Sequence, residues 1–260
     1  MSNLAEVFQN KKVFIPFVVA DDPDIETTVK SVVTLAENGA DIVELGIPFS
    51  DPVADGPVIQ KADLRAFKAG VRTEVVFDIV KKIREQTQVP LVFLTYLNIV
   101  FKYGYSEFCQ RCQKLGVSGL VIPDLPLEEQ EEIRPSADKF GIDLIPLIAP
   151  TSEGRIEKIA EHASGFIYVV SSLGVTGVRD DIAKQKLSET IQRVRKVTNV
   201  PTAIGFGIHS PEQAETLAGI ADGIIIGSAV VQIISEGGTD LQDKLAEYTR
   251  SIKDAISVKI

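Results

Sequence analysis

Apolar residues along this chain fall into short unbroken runs that alternate, from end to end, with stretches of helical spacing. Eight runs read as strands: VFIPFVVA (13–20), DIVELGI (41–47), PLVFLTYL (90–97), GLVIPD (119–124), DLIPLIA (143–149), GFIYVVS (165–171), PTAIGFG (201–207) and DGIIIGS (222–228). Short continuous apolar runs bounded by turn formers are the pattern of strands buried on both faces. Between them lie amphipathic patterns such as IETTVKSVVTLAENG, TEVVFDIVKKIREQT, YSEFCQRCQKLG, PLEEQEEIRPSADKFG and DIAKQKLSETIQRVRKVT. Gly39, Gly116 and Gly141 stand where a left-handed residue would end a helix just before the next strand.

Buried strands alternating with helices predict an α/β fold with a parallel sheet, and eight such units can close into a (β/α)8 TIM barrel. A doubly wound open sheet is the competing architecture. The barrel is preferred because no G-x-G-x-x-G opens a helix after the first strand, and because 260 residues suit a barrel of roughly 250. LAEVFQNK reads as an extra N-terminal helix closing the barrel bottom, SAVVQIISEGG as a short helix after strand 8, and DLQDKLAEYTRSIKDAI as the last outer helix. No linker or shift of composition divides the chain, so residues 1–260 are expected to form one barrel domain. Two connections, 48–73 and 173–181, read as long loops, and long loops in compact domains usually serve function.

Composition narrows the partners. A net charge of -9 disfavours attraction to nucleic acid or anionic membrane, so an anionic ligand would need a local site. No stretch approaches the roughly 18 apolar residues of a membrane span, and the start MSNLAEVFQNKK lacks a signal-like pattern; a cytoplasmic protein is expected. Cys109 and Cys112 form a lone C-x-x-C on a predicted helix, with only His162 and His209 elsewhere, which falls short of a zinc site.

ELGIPFSDPVADGPV (44–58) places acids in two unlike settings. Alternation sends Ile42, Glu44 and Gly46 to one face and Val43, Leu45 and Ile47 to the other, so in a barrel Glu44 points inward near the strand's C-terminal end. An inward acid without a cation should keep its proton toward neutrality, although a structural acid satisfied by amides or water fits the same pattern. Taken alone, Asp55 reads as a surface turn residue, but its loop leaves the strand that carries Glu44 and can fold across the same mouth. Tyr168 shares a face with Phe166 and Val170, where its phenol could meet a ligand or simply pack. None of the eight strands holds a Lys or a His, which disfavours an inward Schiff base or metal cage and leaves acid–base chemistry by carboxylates.

Glycines cluster in the last third, in SLGVTG (172–177), IGFG (204–207) and IGSAVV (226–231). Loops after strands seven and eight, with a short extra helix, form the recurrent phosphate site of such barrels. Gly205, Gly207, Gly227 and Ser228 are therefore candidate phosphate ligands, with Gly177 closing from the loop after strand six.

ELGIPFSDPVADGPVIQKADLRAFKAG resembles the signature of the tryptophan synthase alpha chain family, and FVVADDP, YLN, YVVSSLGVTG, GFGI and GSA follow that family's order along nearly the whole chain. The resemblance implies a (β/α)8 barrel that cleaves indole-3-glycerol phosphate to indole and glyceraldehyde 3-phosphate with no cofactor or metal of its own. By the same resemblance Glu44 and Asp55 are the catalytic acids and Tyr168 borders the reacting centre. Phe17, Leu94 and Ile59 then line an indole pocket, Thr176 sits on a closing loop, and Gly177, Gly205, Phe206, Gly207, Gly227 and Ser228 hold phosphate. It implies as partner a pyridoxal-phosphate beta chain in an alpha2beta2 heterotetramer, met near Asp51, Pro52, Asn98 and Asp124. The chain departs from the pattern at Ala20-Asp21, where a glycine usually precedes Asp-Pro, and at Lys61 and Asp63, where small or amide residues are common.

Overall fold

The computed structural model describes residues 3–152, 154–171 and 180–257. Its strands are β1 (Val13–Val19), β2 (Val43–Gly46), β3 (Leu91–Leu94), β4 (Val117–Val121), β5 (Asp143–Ile145), β6 (Leu147–Ile148), β7 (Ile167–Val170), β8 (Thr202–Gly205) and β9 (Gly223–Ile226). They pair in the order β5-β4-β3-β2-β1-β9-β8-β7-β6, and every pairing is parallel. The two ends of that order are halves of one extended stretch, interrupted at Pro146, which has no N–H for a ladder. β5 holds β4 while β6 holds β7, so nine short strands make the eight positions of a (β/α)8 barrel.

The period-two pattern sorts the side chains as the alternation predicts. Val43, Leu45 and Ile47 pack into the large cluster beneath the outer helices, whereas Val13, Ile15, Ile42, Val92, Phe166, Tyr168 and Ile225 fill the barrel interior. Leu4 and Phe8, from the N-terminal helix (Asn3–Val7) and the turn after it, join that interior cluster and plug its lower end. Glycines make room for the plug: a Cβ on Gly119 would lie 2.9 Å from Leu4 Cδ1, and one on Gly223 2.9 Å from Phe8 Cε1. Cys109 and Cys112 are free and buried on the helix Tyr105–Leu115, and burial pushes both thiols up, which suits packing rather than reactivity.

Several boundaries differ from the sequence reading. The stretch 48–73 is not a long loop, because a helix, Pro57–Ala69, runs inside it. Gly56–Pro57 is its N-cap and first residue, and Gly70, at φ 96, its left-handed end. PLVFLTYL stops being a strand at Leu94, and a second helix begins at Leu97. PLEEQEEIRPSADKFG divides into a 3-10 helix, Leu127–Glu132, and an α-helix, Arg134–Phe140, with Pro135 in the first turn of the second. Most of the stretch 173–181, with Thr176 and Gly177, lies outside the described residues.

Candidate active site

The C-terminal ends of the strands open onto a cavity of about 190 Å³. Glu44 and Asp55 line it on one side, Phe17, Ile59 and Leu94 form an apolar wall, and Tyr168, Phe206, Gly207, Gly227 and Ser228 complete it opposite. Ten of the residues singled out from sequence therefore share one cavity. Of the rest, Thr176 and Gly177 fall outside the described residues, and Gly205 plays a different part. A Cβ at Gly205 would stand 2.4 Å from the Tyr168 hydroxyl, so a glycine at this position leaves room for the buried phenol.

Glu44 sits in register between Phe17 of β1 and Val92 of β3. It is 2% exposed, and among the described residues its Oε1 has no hydrogen-bond partner. Burial first, and then the charge of Asp55, push its carboxyl up to about 8. Glu44 is thus the member of the pair that keeps its proton at neutral pH.

Asp55 is half-buried on the loop beyond β2, where burial raises its carboxyl and a hydrogen bond from Tyr96 opposes that rise. The Tyr96 hydroxyl donates to Asp55 Oδ2 at 2.8 Å and accepts from the Ala54 amide at 3.1 Å. Its ring stacks on Phe49 with centroids 4.7 Å apart. A fully enclosed phenol therefore fixes a loop acid whose local sequence specifies only a turn. Tyr96→Phe keeps the ring and removes both bonds; we expect kcat/KM to fall about 10- to 50-fold and stability by about 1 kcal/mol. Steady-state kinetics and thermal denaturation check the two numbers.

The opposite flank is shaped by backbone. Phe206 and Gly207 adopt φ of 75 and 76, and the Ser171 hydroxyl and amide bond the carbonyls of Phe206 and Gly205, which holds this left-handed turn against the end of β7. A bulky residue in that conformation carries strain of the sort found at ligand sites. The helix Ser228–Glu236 starts from Gly227, and its first N–H groups, lacking intrahelical acceptors, lie at the cavity wall formed by Gly227, Ser228 and Ala229. A Cβ at Gly227 would come no closer than 3.6 Å to Phe17, so packing of this chain alone does not call for glycine there. A bare backbone beside amides open to an anion does. Phe206, 42% exposed and edge-on to Tyr168, also borders a second space of about 430 Å³ reaching toward Pro126 and Arg155.

A buried acid that holds its proton and a second acid on the loop beyond the same strand, sharing one cavity with an apolar wall and a glycine turn, define a (β/α)8-barrel enzyme of the acid–base kind. Known proteins agree. The family model described as "Tryptophan synthase alpha chain" matches residues 4–257. A tryptophan synthase alpha chain from Lacticaseibacillus casei is 64% identical over 259 residues, covering 100% of this chain and 97% of that one. Another, from Lactiplantibacillus plantarum, is 56% identical, covering 98% and 97%. A solved tryptophan synthase structure from Mycobacterium tuberculosis superposes with a TM-score of 0.90 at 33% identity, covering 99% of each chain. The chain belongs to the tryptophan synthase alpha chain family.

Proposed function

We propose that this chain cleaves indole-3-glycerol phosphate to indole and glyceraldehyde 3-phosphate, with Glu44 and Asp55 as the two working acids. The observation that carries this assignment of roles is the single cavity that Glu44 and Asp55 share with the glycine turns of β8 and β9.

The bond to be broken joins indole C3 to the side chain, and the ring cannot leave until C3 is protonated. Protonated Glu44 gives that proton, and the ring becomes an iminium with its positive charge at N–H. Asp55, ionised and held by Tyr96, accepts a hydrogen bond from that N–H and stabilises the cation. Glu44, now a carboxylate, takes the proton of the side-chain hydroxyl. The C–O bond becomes a carbonyl, the C–C electrons return to the ring, and both products leave with Glu44 protonated again. Phe17, Ile59 and Leu94 suit the flat apolar ring, and Tyr168 borders the reacting centre. Phe206, Gly207, Gly227 and Ser228, with Gly205 and with Thr176 and Gly177 from the segment before the helix Asp180–Arg195, would hold the phosphate.

Membership of the family implies a beta-chain partner. We infer an alpha2beta2 assembly with a pyridoxal-phosphate beta chain that receives indole at this mouth. Asp51, Pro52, Asn98 and Asp124 follow the C-terminal ends of β2, β3 and β4, and Val53 and Phe101, 84% and 62% exposed, offer apolar surface on the same segments. We infer a cytoplasmic enzyme, in keeping with a soluble phosphate ester as substrate; among the described residues no helix is long and apolar enough to cross a membrane. The direct test is indole release from indole-3-glycerol phosphate by the purified chain, with and without added beta chain. Turnover that rises with the beta chain is expected; no indole in either case would refute the assignment.

A further inference from the structure

The catalytic cavity already holds two carboxyl groups, Glu44 and Asp55, and the substrate brings a phosphate into it. Among the described residues that line it there is no lysine or arginine, and His209 is the one side chain able to carry a positive charge. The mechanism above gives it nothing to do. His209 follows the left-handed turn at Phe206 and Gly207, just before the helix Pro211–Ala218, and stands exposed at the rim of the cavity. Three hydrogen bonds hold it there: its amide donates to Gln213 Oε1 at 3.0 Å, its carbonyl accepts from the Tyr248 hydroxyl at 3.1 Å, and its ring Nδ1 lies 3.2 Å from the Gly207 carbonyl. A carbonyl can only accept, so Nδ1 carries the hydrogen of that bond. Nε2 has no bond among the described residues and is the nitrogen left for a ligand. Gly207 borders the same cavity, so the bond ties the imidazole to the anion cradle.

We propose that His209 is a phosphate-binding residue of this cavity: with Nδ1 donating to Gly207, the imidazolium donates from Nε2 to a phosphate oxygen and adds a positive charge to a cradle otherwise made of backbone. In the neutral ring Nε2 presents a lone pair, which a phosphate dianion repels. A proton on Nε2 turns that repulsion into a charge-assisted hydrogen bond. Binding therefore takes up a proton at this end of the cavity. The groups that face this turn are Glu212 in the first turn of the next helix, Lys184 beyond Gly207, the Tyr248 phenol, which burial keeps protonated, and Glu44 and Asp55 across the cavity. The helix Ser228–Glu236 brings no charge before Glu236 at its far end.

The proposal rests on the reaction assigned above, and its test separates the two. Asparagine puts an amide nitrogen where Nδ1 stands and reaches no further, whereas glutamine puts one where Nε2 stands, a donor that does not titrate. At about pH 6, His209→Asn should raise KM for indole-3-glycerol phosphate about 5- to 20-fold and leave kcat within about twofold, the mark of an interaction made alike in ground and transition states. Imidazole loses its charge between about pH 5 and 8, so the ratio of variant to wild-type KM should shrink toward one by about pH 8. Ionisations that both proteins share cancel in that ratio. His209→Gln should bind the substrate more tightly than His209→Asn at both pH values. A ratio near one at the lower pH, a ratio that does not change with pH, or a Gln variant no better than Asn would overturn the role of His209. Failure of the wild type to release indole would count against the reaction instead, and inorganic phosphate then reports on His209 alone. The proton resonance of its ring carbon between the two nitrogens should shift saturably as phosphate is added at about pH 6, and an unmoved resonance would overturn the proposal.

Discussion

Glu44→Gln should lower kcat for indole release by about 10³-fold or more, since general acid–base groups contribute roughly 10²–10⁴. The same substitution should make the protein more stable. Glutamine cannot give a proton to indole C3 or take one from the hydroxyl, yet it fills the space of the glutamate. The stability gain follows from where Glu44 holds its proton. Its carboxyl titrates near 8 in the folded chain against 4.5 when free, so between those values the folded chain binds a proton that the unfolded chain does not. Unfolding free energy therefore falls as pH rises through that window. Removing the group should restore about 3 kcal/mol at pH 7, and less as pH approaches 4.5. Indole release and Tm measured across pH test both halves: a Glu44→Gln variant that is inactive and no more stable at pH 7 than the wild type would contradict the buried protonated acid.

Asp55→Asn should lower kcat by about 10²–10³-fold, the usual cost of losing one preorganised electrostatic partner of a developing charge. The reason is the sign of the charge. The ring cation needs a neighbouring anion, and the amide supplies only a dipole. Asp55 feels opposed influences, burial raising its carboxyl and Tyr96 lowering it, while its charge raises Glu44. Replacing it should therefore let Glu44 ionise at lower pH and shift the residual activity's alkaline limb to lower pH. Kinetics of Asp55→Asn over a pH series measures both the loss and the shift. An unshifted limb would mean that the two acids are not electrostatically linked.

Much of the barrel was legible because its signals are local. The two-residue period of DIVELGI fixed which face Glu44 takes, and packing honours it from Ile42 to Ile47. The helix Pro57–Ala69 escaped because Gly56–Pro57 reads as a turn when weighed alone, though the same pair is an N-cap followed by proline at the first helical position. The break at Pro146 was signalled by a proline inside an apolar run, which closure of the ring demotes from one strand to two. Tyr96 was invisible for a different reason. Its function depends on a hydrogen bond to a residue 41 positions earlier, and nothing in LTYLN announces such a contact. The two roles of glycine, room for a neighbouring ring at Gly205 and open backbone at Gly227, look alike in sequence and separate only when their surroundings are known.

The split at Pro146 also determines how the cylinder can breathe. Three residue pairs tie one half to β4 and two tie the other to β7, so this is the thinnest stave of the hoop. The acids stand on and beyond β2, and the anion cradle on β8 and β9, an arc away from that seam. Local fraying there would reach the cavity only through Tyr168, whose amide donates to the Pro146 carbonyl and which pairs with Leu147.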